Sequence, residues 1–381
     1  MLRMCVVAAI LSFCGLGQET APDEIQPLLA AGNASYLHGD YDAAREAYEK
    51  AAELVTLRSN EDPVRYDVFK RLSTVRAALG KYSEANESLS MAISWSEQTN
   101  GPNDPKIPDD LLQSVGYLRA LKDYDGALLV LNRVMRLHVQ AAGNMGNTNV
   151  ADDFSRMAQV YMAMQKPEDA ERVLTRALDI RTKLAGPLDH TLVFDLDRLG
   201  TVYTGMQVYD KAEDTYRHAL VIRESIYGRE DADLIPNVDG LAFALFGQQK
   251  YDEAEPVYKR LIALWMVSTA PEHPMVAVAW QKIGVFYFAQ KKYDLAKEAY
   301  DKGVAIRTLF LSTGLAEQAA DTLKQGDKAA AIAQYHRALK PLDPPNPVYD
   351  GLRKDMEAMV AELSKKTNAS FKTAPELKKK E

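Results

Sequence analysis

The sequence predicts an all-α chain: a superhelical α-solenoid of about eight helix-turn-helix repeats, closed by a C-terminal capping helix. Two observations predict it. One pattern recurs along the chain, as "GDYDAAREAYEKAAELV" at 39–55, "QVYDKAEDTYRHALVIR" at 207–223, "QKYDEAEPVYKRLIALW" at 249–265 and "KKYDLAKEAYDKGVAIR" at 291–307. Within each copy, apolar residues return at the spacing of a 3.6-residue helix.

Aligned on the alanine after each turn, the copies place Ala44, Ala85, Ala127, Ala170, Ala212, Ala254, Ala296 and Ala331 at steps of 41, 42, 43, 42, 42, 42 and 35 residues. Four residues after each alanine stands a large apolar side chain: Tyr48, Leu89, Leu131, Leu174, Tyr216, Tyr258, Tyr300 and Tyr335. Twelve before it stands a mostly small one: Gly32, Ser73, Val115, Ala158, Gly200, Ala242, Gly284 and Ala319. An apolar anchor sixteen before opens the stripe of the first helix, as Leu196 does with Leu199, Gly200 and Tyr203 at i, i+3, i+4 and i+7. A Gly or Ala on the first helix lets the Ala-bearing second helix approach closely where they cross. The position seven after each alanine faces the next repeat. The third copy is looser, with Val115 and Val134 where smaller residues are usual.

The repeats start near residues 25, 66, 108, 151, 193, 235, 277 and 312, so the solenoid covers 25–345. In most of them the turn carries an Asp or Ser (Asp42, Ser83, Asp125, Asp210, Asp252, Asp294) expected to cap the second helix by accepting from its free backbone N–H groups. Gly101-Pro102 and Gly186-Pro187 stop second helices. After the last copy "PLDPPNP" breaks the chain. The segment 346–363, containing "VYDGLRKDMEAMVAEL", is the expected capping helix with a polar outer face. Residues 364–381 are polar and Lys-rich and are expected to be a disordered tail.

The N-terminus is different material. Residues 1–17 carry one early Arg3, an apolar run from Met4 to Phe13, and small residues ending at Gly17. That is the three-part pattern of a secretory signal peptide, with residues 18–24 as a short linker. Gly15 and Gly17 offer the small side chains a peptidase needs, so the mature chain is expected to open at Gln18, in the periplasm or outside the cell. The run is too short and unpatterned for an amphipathic helix packed on the first repeat. Acylation of Cys14 would instead anchor the chain to a membrane, but Phe13 stands where that motif wants Gly, Ala or Ser. Cys5 and Cys14 both lie in the leader, which leaves the mature chain without a disulfide or a Cys-based zinc site. Elsewhere no apolar run reaches the roughly 18–20 residues that span a bilayer. Lys and Arg number 46 against 53 Asp and Glu, a net charge of −7. That balance argues against nucleic acid as the main partner, because phosphate binding wants a concentrated basic field.

The pattern resembles the tetratricopeptide repeat family over about residues 25–345. Ordinary copies of that repeat span about 34 residues. The longer step here, and connectors such as "LAGPLDHTLV", "IYGREDADLI" and "STAPEHPMVA", are similar to the kinesin-light-chain type with its "LG-x-DHP-x-x-A" linker. The resemblance is to the repeat and does not make the chain a motor-protein subunit, which an export signal contradicts. It implies a right-handed solenoid whose concave face binds extended partner segments.

The chain shows no Gly-rich phosphate loop, Gly-x-Ser-x-Gly elbow or His-Glu-x-x-His helix. Its six histidines are scattered, and His190 and His273 fall in linkers where turn geometry explains them better than ligation. No catalytic residue, cofactor or metal is therefore assigned, and no enzyme is expected. What remains is surface. The residues one, five and eight after each anchor share one face of the first helix, the inner curve. On and beside that stripe, the expected groove residues are Asn33, Lys70, Thr74, Gln159, Asp197, Arg198, Thr201, Asp239, Phe243, Phe246, Gln281 and Phe288. Asn33, Thr74, Gln159, Thr201 and Gln281 would hydrogen-bond a partner's backbone. Phe243, Phe246 and Phe288 would either anchor its apolar side chains or pack between repeats. Asp197 and Asp239 with neighbouring arginines form the one convergent titratable cluster, and charge pairing along a solenoid accounts for it. The function expected is a non-catalytic scaffold that binds a protein or peptide. The alternatives are a structural part of a cell-envelope assembly and a regulatory subunit of an enzyme.

Overall fold

Among the described residues, short turns join first to second helices within the repeats. The computed structural model describes residues 24–58, 62–343 and 350–372, and among them every regular element is a helix. The chain divides into two units, residues 1–166 and 167–381. The first holds α1 (Ile25–Leu37), α2 (Tyr41–Thr56), α3 (Val64–Ala78), α4 (Tyr82–Asn100), α5 (Ile107–Ala120), α6 (Tyr124–Ala142) and α7 (Thr148–Ala163). The second holds α8 (Pro167–Ala185), α9 (Val193–Gly205), α10 (Tyr209–Tyr227), α11 (Ile235–Gly247), α12 (Tyr251–Ser268), α13 (Pro274–Ala289), α14 (Tyr293–Lys324), α15 (Lys328–Leu339) and α16 (Asp350–Lys372). Within each unit every helix packs on its neighbours in chain order, the α-solenoid arrangement. The leader assigned to residues 1–17, with Cys14, lies outside the described residues.

The aligned alanines are all buried, Ala212 completely. Six of the eight crossings share a volume compensation that the periodicity alone does not state, while Ala242 and Ala319 stand opposite Tyr258 and Tyr335. Gly32, Gly200 and Gly284 occur with Tyr48, Tyr216 and Tyr300, whereas Ser73, Val115 and Ala158 occur with Leu89, Leu131 and Leu174. A Cβ on Gly200 would stand 2.6 Å from the Tyr216 ring, and one on Gly284 2.8 Å from the Tyr300 ring. The ring fills what the missing side chain leaves, so packing density is kept. Ala212→Leu is expected to overfill this contact and cost about 1–3 kcal/mol, read as a lower and broader thermal transition. A neutral result would place the crossing elsewhere.

The caps differ from expectation. The second helices begin at the turn tyrosine, so Asp42, Asp125, Asp210, Asp252 and Asp294 sit inside the first turn, as does Ser83. The true caps lie two residues earlier: Asp40 accepts from the Ala43 N–H, Asp123 from Gly126 and Asp327 from Ala330. Lys81, Val208, Lys250 and Lys292 hold the same place without a side-chain cap. The displaced aspartates instead meet the positive end of the helix dipole. What ends the first helix is a left-handed residue just before the cap: Gly39 and Gly80 in the first two copies, but Lys122, Gln165, Gln207, Gln249 and Lys291 later, at φ 58–61°. At Gln249 the turn closes as a Schellman motif, with Lys250 N–H donating to the Leu245 carbonyl and Gln249 N–H to that of Phe246.

The C-terminal end also departs from the expected boundaries. No break occurs near 312: α14 runs through as one 32-residue helix, serving as second helix of the seventh repeat and first helix of the eighth. The shorter 35-residue step between Ala296 and Ala331 is the sequence trace of this fusion. A continuous helix cannot fold its apolar stripe back at a linker, and Val304, Phe310 and Leu311 are left more than half exposed. The capping helix α16 buries Met356 and Leu363 against Ala319, Tyr335, Ala338 and Leu342. Its described span is Asp350–Lys372, so it runs past Ser364 into the stretch expected to be a tail.

Candidate partner-binding site

The expected groove residues fall in both units, and in the first they are already occupied. Asn33 Oδ1 on α1 accepts from the Tyr48 hydroxyl and from Arg71, both at 2.7 Å. Lys70 Nζ on α3 lies 2.5 Å from Asp110 Oδ1 on α5, whose side chain is fully buried. Tyr66 donates to the other oxygen of Asp110 at 2.7 Å. Burial and that carboxylate push the Tyr66 phenol up to about 12. For Lys70 burial works downward, but the hydrogen bonds to Asp110 and Tyr66 outweigh it and hold the ammonium above its usual value. Thr74 donates to the Lys70 carbonyl one turn back, and Gln159 accepts from Arg119. The polar stripe of this unit is therefore not idle in the free chain. Long side chains from adjacent first helices reach one another across the face and satisfy each other.

The second unit repeats the point for its polar members. Asp197 receives a bidentate fork from Arg223 at 3.0 and 2.8 Å, and the Asn237 amide at 2.6 Å. Arg198 donates to Asp195, and Thr201 to the Asp197 carbonyl. Asp239 is held by Lys282 at 2.5 and 2.6 Å. Gln281 is half-buried beside Gly303.

Beneath the stripe runs a series the sequence reading missed. Asp110, Asp153, Asp195 and Asn237 each precede an apolar anchor, at steps of 43, 42 and 42 residues, and all are buried. His138 lies 2.7 Å from Asp153, Arg181 donates to Asp195 at 3.0 Å, and Arg223 to Asn237. Those three partners stand eleven residues after the alanine of the preceding repeat, so each pair ties one repeat to the next. Burial keeps the Asp153 carboxyl above its ordinary value despite His138 and Arg156. The signal was available: an Asp or Asn before the anchor, and a basic residue eleven after the preceding alanine.

A second series lies at the turn edge. Glu171 accepts from Tyr203 and Lys211, Glu213 from Gln248 and Lys250, and Glu255 from Tyr287 and Lys259. Each follows an aligned alanine. All three carboxyls are held low: Glu171 mainly by Lys211, Glu255 mainly by Lys259, and Glu213 by Lys250, Gln248 and Arg217 against the upward push of burial. A folded value below the ordinary 4.5 means stability that is complete above 4.5 and lost as pH falls through the lower folded values. The triple change Glu171→Gln, Glu213→Gln, Glu255→Gln is expected to lower Tm at neutral pH. It should also flatten the fall of Tm between about pH 5 and about pH 3. An unaltered slope would show that these contacts do not link folding to protons.

The aromatic residues behave differently. Pro236, Asp239, Gly240, Phe243 and Phe246 of α11, with Lys282 and Val285 of α13, surround a cavity of about 480 Å³. Its floor is Tyr216 and Tyr258 from the second helices, with Thr204 at one end. Phe243 is 44% exposed, touched edge-on by Tyr209. Phe246 is half-buried against Tyr251 and the fully buried Phe286. Phe288 is 58% exposed against Tyr293 and lines no part of the cavity. The structure thus joins Phe243, Phe246 and Asp239 in one site and leaves Phe288 outside it. In the linkers, His273 accepts from the Met275 N–H as a helix cap, and His190 is exposed beside Asp189. Among the described residues no helix is long and apolar enough to cross a membrane. Nor is any group of three or more His, Cys, Asp or Glu among them arranged to hold a metal ion.

Two family models, both described as tetratricopeptide repeat, match the chain, one over residues 150–225 and 234–308 and the other over 29–105. No curated protein matches it. Among solved structures, the C-terminal part of a TPR repeat-containing protein from Cytophaga hutchinsonii is similar with a TM-score of 0.53 at 15% identity, covering 73% of this chain and 95% of that one. A Signal Transduction ATPase with Numerous Domains protein with a tetratricopeptide repeat sensor, from Pyrococcus horikoshii, gives 0.52 at 12% identity, covering 74% of this chain and 42% of that one. BtubC (BKLC) from P. vanneervenii gives 0.48 at 17%, covering 65% and 93%. For the first two, at these identities, the likeness is one of fold.

Proposed function

Because the chain belongs to the tetratricopeptide repeat family, we propose that it is a non-catalytic scaffold that binds an extended segment of a partner protein on the first-helix face of its second unit. The observation that carries this reading is the contrast along the stripe. Most of its polar members are engaged by side chains of neighbouring helices or by carbonyls of their own helix, whereas Phe243 stands at an open apolar cavity in the same face. Exposed aromatic surface beside a concavity is where binding energy concentrates, since covering such a side chain gains roughly 1.5–3 kcal/mol.

Phe243→Ala tests it. The variant is expected to keep Tm near that of the wild type and to lose most capture of the partner that the wild-type chain retains on an affinity column. Equal capture by a folded variant would move the site off this cavity. Lys70→Glu is a poor probe, because it places a carboxylate against the buried Asp110 and should unfold its neighbourhood before any partner is lost.

A further inference from the structure

Tyr258 is 4% exposed and forms part of the cavity floor, yet its hydroxyl has no hydrogen-bond partner among the described residues. Of the tyrosines at the same place in other repeats, Tyr48 donates to Asn33 and Tyr216 lies 3.4 Å from Thr204, whereas Tyr258 is the one without such a partner that lines this cavity. The hydroxyl is not sealed in the core but opens on the cavity, where a phenol without a protein acceptor is available to donate to an entering one. Burial, with the charge of Asp239 nearby, raises the phenol above its ordinary value, so it remains a donor at neutral pH. The only charges lining the cavity cancel, since Lys282 holds both oxygens of Asp239. A charged group entering between Phe243, Phe246 and Val285 would lose its hydration and find no net counter-charge. The cavity is also open on one side, where Phe243 is 44% and Val285 50% exposed. That opening suits a side chain projecting from a chain that passes outside.

Resting on the reading of this cavity as the docking site, we infer that it takes an uncharged apolar side chain of the partner segment, with an adjacent backbone carbonyl accepting from the Tyr258 hydroxyl. The recognised unit is thus a neutral apolar residue with its peptide group, and neither an acidic nor a basic anchor.

N-acetyl-phenylalanine N-methylamide carries this chemistry and serves as the probe, with the N-acetyl-aspartate and N-acetyl-lysine N-methylamides as charged comparators. The full chain is titrated with each and followed by ligand-observed NMR. The phenylalanine amide is expected to bind saturably below about 10 mM, and the charged amides to show no saturation in that range. Tyr258→Phe should weaken binding about three- to tenfold, and its thermal midpoint should match wild type because the lost hydroxyl had no partner. Phe243→Ala, which removes one wall, should weaken binding also. Absence of saturable binding, equal binding by Tyr258→Phe, or equal binding of a charged amide would overturn the inference. The two readings fail separately. If Phe243→Ala abolishes partner capture while the amide does not bind, the recognition inference alone falls. If the amide binds as described but capture ignores Phe243, the docking reading falls and the cavity chemistry stands.

Discussion

Phe286→Ala is expected to destabilise the second unit by about 3–5 kcal/mol, the cost of emptying a large buried aromatic site. Phe286 has no exposed surface and is the hub of a ring cluster, with Tyr258, Tyr287, Phe246 and Tyr251 at centroid distances of 5.1, 5.4, 6.0 and 6.0 Å. It forms the backing of the cavity: Phe246 and Tyr258, which line it, both rest on this ring. Phe243, on the open side, should lose far less when cut to alanine. Urea denaturation of the two variants measures the difference. If Phe286→Ala cost no more than Phe243→Ala, the cavity would lack the rigid rear wall described above.

Arg181→Ala is expected to cost about 3 kcal/mol, because it removes the nearer cation from a buried carboxylate and leaves Arg198 at 3.4 Å to compensate it. Asp195 is 1% exposed, and the guanidinium of Arg181 donates to it from the preceding repeat at 3.0 Å. The pair links the helices α8 and α9 across a repeat junction. The double change Arg181→Met, Asp195→Leu should recover much of the loss, since apolar side chains of similar volume need no compensation in a dry junction. Recovery separates the penalty of an under-compensated buried charge from any need for the ion pair itself. A single variant as stable as wild type would mean that water reaches the carboxylate.

The fold was legible from the chain because a repeated unit reports the same constraint many times. Ala44 alone says little. Eight alanines with a large apolar residue at +4 and a small one at −12 define a helix crossing, and all eight are buried. The caps were misjudged by two residues for a local reason. Asp40 and Asp42, like Asp123 and Asp125, are both good capping types, and only the left-handed residue at Gly39 or Lys122 settles where the helix begins. A lysine or glutamine at that place carries no sequence signal for positive φ. The missing linker near 312 was visible as a short step, but a short step is equally compatible with a clipped loop.

Periodicity is a property of one chain direction, and it was sufficient for the helical class and for the helix crossing that the eight alanines mark. It could not say what the expected groove stripe does. Whether Asn33, Lys70 or Asp197 is free depends on how far Arg71, Asp110 and Arg223 reach from other helices, about 26 to 40 residues away. Phe243, Phe246 and Phe288 look alike along the chain. They separate only once Tyr258 and Phe286 are brought beneath two of them, and the cavity is the space those side chains fail to fill. Periodic burial is written locally in the spacing of apolar residues, whereas hydrogen-bond satisfaction and empty volume are set by residues that meet only after the repeats have stacked.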